Sequence, residues 1–128
     1  MQEKISIINK TKSTHQNSVY FAVIKNEILG KNYDLSLVFI GEGISKKLNC
    51  KHRGKNNSTN ILSFSLTKKS GEIFITPQVA LREMKKFKKT YTNFIAFLFI
   101  HGLLHLKGME HGSTMDKAEE KFCKKFGI

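Results

Sequence analysis

Residues 94–111, FIAFLFIHGLLHLKGMEH, join the most apolar stretch of the chain to three of its five histidines. Residues 94–100 are apolar throughout. A membrane-spanning helix needs about 20 such residues, so this run belongs in a core. The pattern predicts a helix from Phe94 to about Lys107, capped by Asn93 and stopped by Gly108. At 3.6 residues per turn, His101 and His105 point the same way, one turn apart. Gly108 can take the positive φ that reverses the chain and brings His111 back as a third corner. Three neutral imidazoles leave a tetrahedral Zn²⁺ with one open position, the layout of a catalytic rather than a structural site. One histidine on an apolar helix reads most simply as a hydrogen-bonded core residue, but three at this spacing read as a metal site. Leu103, Leu104 and Leu106 are core packing, and His15 and His52 read as surface residues with no metal role.

The same histidine spacing frames the metzincin proteases, in which Glu follows the first His and serves as general base. Here that position is Gly102. Without the carboxylate, the usual means of activating water for peptide hydrolysis is missing. Glu110, beside His111, is placed to orient a ligand or contact substrate rather than to replace that base.

Outward from this segment, Thr76-Pro77 is a helix start, with Thr as cap and Pro at the first helical position. The helix it opens runs to about Lys89 through Val79, Ala80, Met84 and Phe87. After the histidines, Ser113 or Thr114 caps a last amphipathic helix to about Lys125, with Met115, Ala118, Phe122 and Phe126 inward. Toward the N-terminus, residues 5–8, 35–40, 61–66 and 72–76 read as strands, the last two joined by a turn. Residues 15–30 have mostly helical spacing. Residues 43–52 suit a helix that buries Ile44 and Leu48 beneath a lysine-rich face. GKNNSTN, residues 54–60, is a polar loop. The expectation is one α+β domain over residues 1–128, with about four strands and about five helices.

The 128 residues suit one domain with one hydrophobic core. The apolar fraction of 40% and charged fraction of 25% exclude a disordered tail. The N-terminus, MQEKISIINK, shows no secretory signal, which makes the cytoplasm the expected location and no membrane the expected setting. Cys50 and Cys123, without CxxC spacing, read as free thiols. The net charge is +12, and 20 of its 22 basic residues are Lys. An AT-rich coding sequence accounts for part of that excess. Clusters are more informative: Lys85, Lys86, Lys88 and Lys89 crowd one segment, and Lys46, Lys47, Lys51, Arg53 and Lys55 another. Such a field attracts polyanions, RNA or DNA phosphates being the commonest, and charge alone also admits an acidic protein or a membrane surface.

The segment HGLLHLKGMEH closely resembles the signature HGxLHLxGYDH of the YbeY family, the bacterial rRNA-maturation endoribonucleases. Leu48-Asn49-Cys50-Lys51-His52-Arg53 resembles the family's LNxxYR, and Thr59-Asn60-Ile61-Leu62-Ser63-Phe64 its TDVLSF. Gly71-Glu72-Ile73-Phe74-Ile75 is similar to its GDIxI strand. Together these motifs span residues 48–111. The resemblance implies that His101, His105 and His111 hold one Zn²⁺ per chain and that Arg53 is the positive residue of the catalytic cleft. It implies a mixed four-stranded sheet, with the zinc in a cleft beside a basic channel. The implied activity is metal-dependent cleavage of single-stranded RNA, in 3′-end maturation of small-subunit rRNA and in ribosome quality control. Ribosomal proteins or a ribosome-assembly GTPase are the implied partners. Asn60 and Glu110 stand where the family usually has Asp, Met109 where it has Tyr, and Ser65 where Pro commonly follows.

An Arg53 guanidinium can pair with a phosphate through two parallel hydrogen bonds, which Lys cannot copy. Lys85, Lys86, Lys88 and Lys89 are the candidates for positioning the RNA backbone. Two other classes fit the sequence less well: an RNA- or ribosome-binding module in which zinc is only structural, and a minimal metalloprotease.

Overall fold

The computed structural model describes residues 4–128. Four strands, β1 (Ile5–Asn9), β2 (Asp34–Phe39), β3 (Ile61–Thr67) and β4 (Ser70–Ile75), lie in the spatial order β1-β2-β4-β3. β1, β2 and β4 run parallel, and β3 is antiparallel to β4. The central strand β2 buries Leu35, Leu37, Val38 and Phe39, as a strand covered on both faces does. The helices are α1 (Phe21–Leu29), α2 (Glu42–Arg53), α3 (Pro77–Glu83), α4 (Tyr91–Leu106) and α5 (Ser113–Phe126). Short 3₁₀ turns occupy His15–Ser18 and Met84–Phe87. The α+β class and the mixed four-stranded sheet with five helices are as the sequence implies.

α4 organises the molecule. Phe94, Ile95, Phe99, Ile100, Leu103 and Leu104 are all fully buried. A helix apolar on nearly every side must be enclosed, and α4 packs on β3, β4, α1, α3 and α5. At Gly102 it packs tightly on the sheet: a Cβ there would lie 2.8 Å from Ile61 Cδ1 and 2.9 Å from Ser63 Oγ. Even a methyl group therefore displaces two side chains of β3. Gly102→Ala is expected to destabilise the fold by about 1–3 kcal/mol, the usual cost of overpacking. A urea midpoint lowered at constant slope is the measurement that checks it.

Several boundaries differ from the expectation, each for a local reason. α4 begins at Tyr91 rather than Phe94, because the Thr90 hydroxyl, not Asn93, caps it by accepting from Asn93 N at 3.2 Å. The helix from Pro77 ends at Glu83 instead of continuing to about Lys89. Four lysines at helical neighbour spacing repel one another, and the chain tightens to a 3₁₀ turn with Lys88 left-handed at φ 53°. Phe87 is consequently half-exposed, stacked on Phe94. α5 has Gly112, not Ser113 or Thr114, at its cap.

α2 also differs from a simple amphipathic reading. Ile44 is exposed and Leu48 only partly covered, while the polar Ser45 and Asn49 are buried. Ser45 Oγ donates to Thr59 O and accepts from Thr59 N, both at 3.0 Å. Asn49 Nδ2 donates to Asn57 O at 2.9 Å. Burying those two side chains gives hydrogen bonds to the backbone of Asn57 and Thr59 in the loop 54–60, and that loop forms one wall of the cleft below.

Candidate metal centre

The C-terminal end of α4 builds the site. Gly108, at φ 103°, follows the helix. Gly108 N donates to His105 O at 2.9 Å, and Met109 N donates to Leu104 O at 3.0 Å. These two bonds are the Schellman pattern that closes a helix through a glycine. The reversed chain carries His111 back over α4, with its ring centroid 5.0 Å from that of His101 and 4.7 Å from that of His105.

The same turn orients a ligand. Met109 O accepts from His105 Nδ1 at 3.0 Å. On the other side, Glu119 of α5, buried against α4, accepts from His101 Nδ1 at 2.6 Å. With both Nδ1 atoms acting as donors, both Nε2 lone pairs face inward, 3.0 Å apart. Two lone pairs at that distance repel unless a cation or a proton lies between them. One nitrogen from each of the three histidines falls within 4.8 Å of the others. Metal–nitrogen bonds of about 2.0–2.1 Å at tetrahedral angles imply about 3.4 Å between donors. The residues present therefore fit a metal ion, and His101 and His105 reach it with their orientation already set. Burial lowers the His105 pKa, and the neighbouring His101 lowers it further. Both effects favour the neutral imidazole that a metal requires.

Glu119 was not legible as a site residue. It shares a stripe with Met115 and Cys123 on α5, at four-residue spacing, and all three are buried. A carboxylate on an otherwise buried stripe was the available signal. Glu119→Gln is expected to weaken metal affinity about 10–100-fold, as loss of such a ligand-orienting partner does. Competition with a chromogenic chelator measures it, and an unchanged affinity would remove Glu119 from the site.

A cleft of about 460 Å³ opens over the histidines, and Arg53, Asn60 and Ser63 stand in its walls. Arg53 is the last residue of α2, and its charge reaches His105. Asn60 O accepts from Thr76 N at 2.9 Å, and its Nδ2 donates to Glu83 Oε1 at 2.7 Å. An Asp here would set two carboxylates face to face, whereas the amide pairs with Glu83. Ser65 lies at a register irregularity in the edge strand β3, and Met109 is half-buried in the turn. Glu110 is exposed and makes no hydrogen bond among the described residues. Lys85, Lys86, Lys88 and Lys89 do not line this cleft; Lys89 lies over the Phe97 ring, 5.4 Å from its centroid. His52 is exposed, 4.6 Å from Phe64 between ring centroids, and the side chain of His15 lies outside the described residues. Cys50 and Cys123 are free thiols, the second buried. Among the described residues, no helix is long and apolar enough to cross a membrane.

A family model described as endoribonuclease YbeY matches residues 1–127. The endoribonuclease YbeY of Bdellovibrio bacteriovorus is 37% identical over 91 residues, 70% of this chain and 61% of that protein. That of Thermodesulfovibrio yellowstonii is 37% identical over 93 residues, 67% of this chain and 58% of that protein. In both, the match spans less than two thirds of the relative's length. The YbeY of Finegoldia magna is 29% identical over 139 residues, covering 99% of this chain and 90% of that one. Among solved structures, the solution structure of TM1509 from Thermotoga maritima matches with a TM-score of 0.65 at 25% identity, over 92% of this chain and 85% of that one.

Proposed function

Since the chain belongs to the YbeY endoribonuclease family, we propose that it is a zinc-dependent endoribonuclease, one hydrolase domain over residues 1–128, that cleaves single-stranded RNA. The observation that carries this reading is the convergence of three histidine nitrogens within 4.8 Å, in a cleft that also contains Arg53. His101, His105 and His111 are the proposed ligands, and imidazole donors suit zinc. A zinc ion held there supplies Lewis acidity and a water made acidic enough to ionise near neutral pH.

The chain's own residues do the rest. Arg53 is the catalytic cation: its guanidinium takes two oxygens of the scissile phosphate and holds that phosphate over the histidines. Glu119 and the Met109 carbonyl keep the imidazoles turned to the metal. The α2 bonds to Thr59 and Asn57 hold the opposite wall. Lys85, Lys86, Lys88 and Lys89 extend a positive field outside the cleft and guide the RNA backbone toward it. The proposed substrate is small-subunit rRNA at its 3′ end, in the cytoplasm, with ribosomal proteins or a ribosome-assembly GTPase as partners and a role in ribosome quality control.

The protease alternative loses ground at Gly102, since the position of the missing glutamate has no free space beside Ile61 and Ser63. A purely structural metal fits poorly with a ligand, His111, that is exposed to solvent. Cleavage of a fluorescent single-stranded RNA that stops on chelation and resumes with added zinc is the expected result. RNA binding without cleavage in the metal-loaded protein would favour the binding module instead.

A further inference from the structure

A cavity of about 680 Å³ lies away from the histidines, where the chain leaves the C-terminal ends of the parallel strands β1, β2 and β4. Its lining is predominantly apolar, with Ile40, Pro77, Leu81 and Tyr91 among the walls. Among the described residues, the charged ones that line it are Lys10 and Lys12, with no Asp or Glu. An apolar slot rimmed by two cations complements a flat apolar body that carries negative charge. A nucleotide, with its base against Tyr91 and Leu81 and its phosphate on the lysines, has that character.

Its position relative to the cleft points to the same occupant. α4 begins at Tyr91 in the cavity and reaches His101 and His105 in the cleft, about 15 and 21 Å further along the helix axis. α2 does likewise, from Gly41 beside the cavity to Arg53 in the cleft, about 18 Å away. Between the two lies α3: Leu81 lines the cavity, and Glu83, two residues on, holds Asn60 of the cleft. A strand with its scissile phosphate at Arg53 can cross α3 and reach the cavity within a few nucleotides.

We infer that this cavity is a second RNA-binding site, which takes one nucleotide of the same single strand that the histidine cleft engages. The inference rests on the endoribonuclease reading for its substrate. It adds a site that grips the strand a fixed distance from the cut and so sets the shortest RNA bound tightly.

The test compares the metal-loaded protein with its Lys10→Ala/Lys12→Ala and Leu81→Asp variants. These residues are outside the cleft, and Leu81 is exposed, so the fold should persist. Two labelled probes are titrated over a range of salt: an oligouridylate of about eight nucleotides, in the range such single-strand sites cover, and a dinucleotide. The double variant should bind the longer probe about tenfold more weakly, with a salt slope reduced by about one phosphate contact. Leu81→Asp should weaken it at least as much, and dinucleotide binding should stay as in the parent. Unchanged affinity for the longer probe would overturn the inference, and more so if the variants instead lost affinity for an acidic peptide. Equal weakening for both probes would also overturn it, by assigning the lysines to a general field. Binding needs no cleavage, so a protein that shows the length-dependent loss but cuts no RNA would keep this site while defeating the endoribonuclease reading.

Discussion

His105→Ala is expected to bring metal content from about one ion per chain to nearly none, with helix content unchanged. The site has three protein donors, and two imidazoles hold a metal far less firmly than three. The substitution also frees the Met109 carbonyl that His105 Nδ1 engages. The turn itself survives, because Gly108 N and Met109 N bond to backbone carbonyls of α4. Alanine is the best helix former, so α4 is not weakened by propensity. Metal analysis after desalting, paired with far-ultraviolet circular dichroism, reads both quantities. His52→Ala is the matched control, since His52 is exposed and outside the cleft. Full occupancy in His105→Ala would remove this residue from the ligand set.

Arg53→Ala is expected to lower kcat for RNA cleavage about 100- to 1,000-fold while metal content and fold are retained. The estimate is the usual loss when one fixed donor to a charge-bearing oxygen is removed. Arg53 is exposed at the end of α2 and makes no ion pair among the described residues. Its removal therefore leaves no buried partner stranded, and stability should change little. Arg53→Lys keeps the charge without the two-pronged geometry and should recover only part of the rate. Parent-like turnover in Arg53→Ala would take this residue out of the reaction.

The parts of the molecule that were legible in advance are those that short-range chemistry decides. His101 and His105 share a face because a helix repeats, and Gly108 returns the chain because it alone tolerates the turn. The strands, the loop 54–60 and the apolar character of α4 follow from pattern in the same way. What could not be read depends on contacts between distant segments. Strand order is one example: β4 inserts between β2 and β3, and no local rule states it. Glu119 is another. Its meaning depends on α5 lying against α4, and by itself it is one more glutamate on an amphipathic helix. Ser45 and Asn49 ran against the rule that apolar residues face inward, because α2 turns toward a loop whose carbonyls need donors. Thr90 displaced Asn93 as a cap because a threonine hydroxyl three residues earlier offered the same bond sooner in the chain.

Metal content of the purified protein, measured together with cleavage of a single-stranded RNA before and after chelation, tests whether the histidine centre drives the reaction. About one zinc per chain is expected, with cleavage that disappears when the zinc is stripped and returns when it is restored. A protein that carries no metal, or that cuts RNA equally well without it, is not a zinc-dependent nuclease.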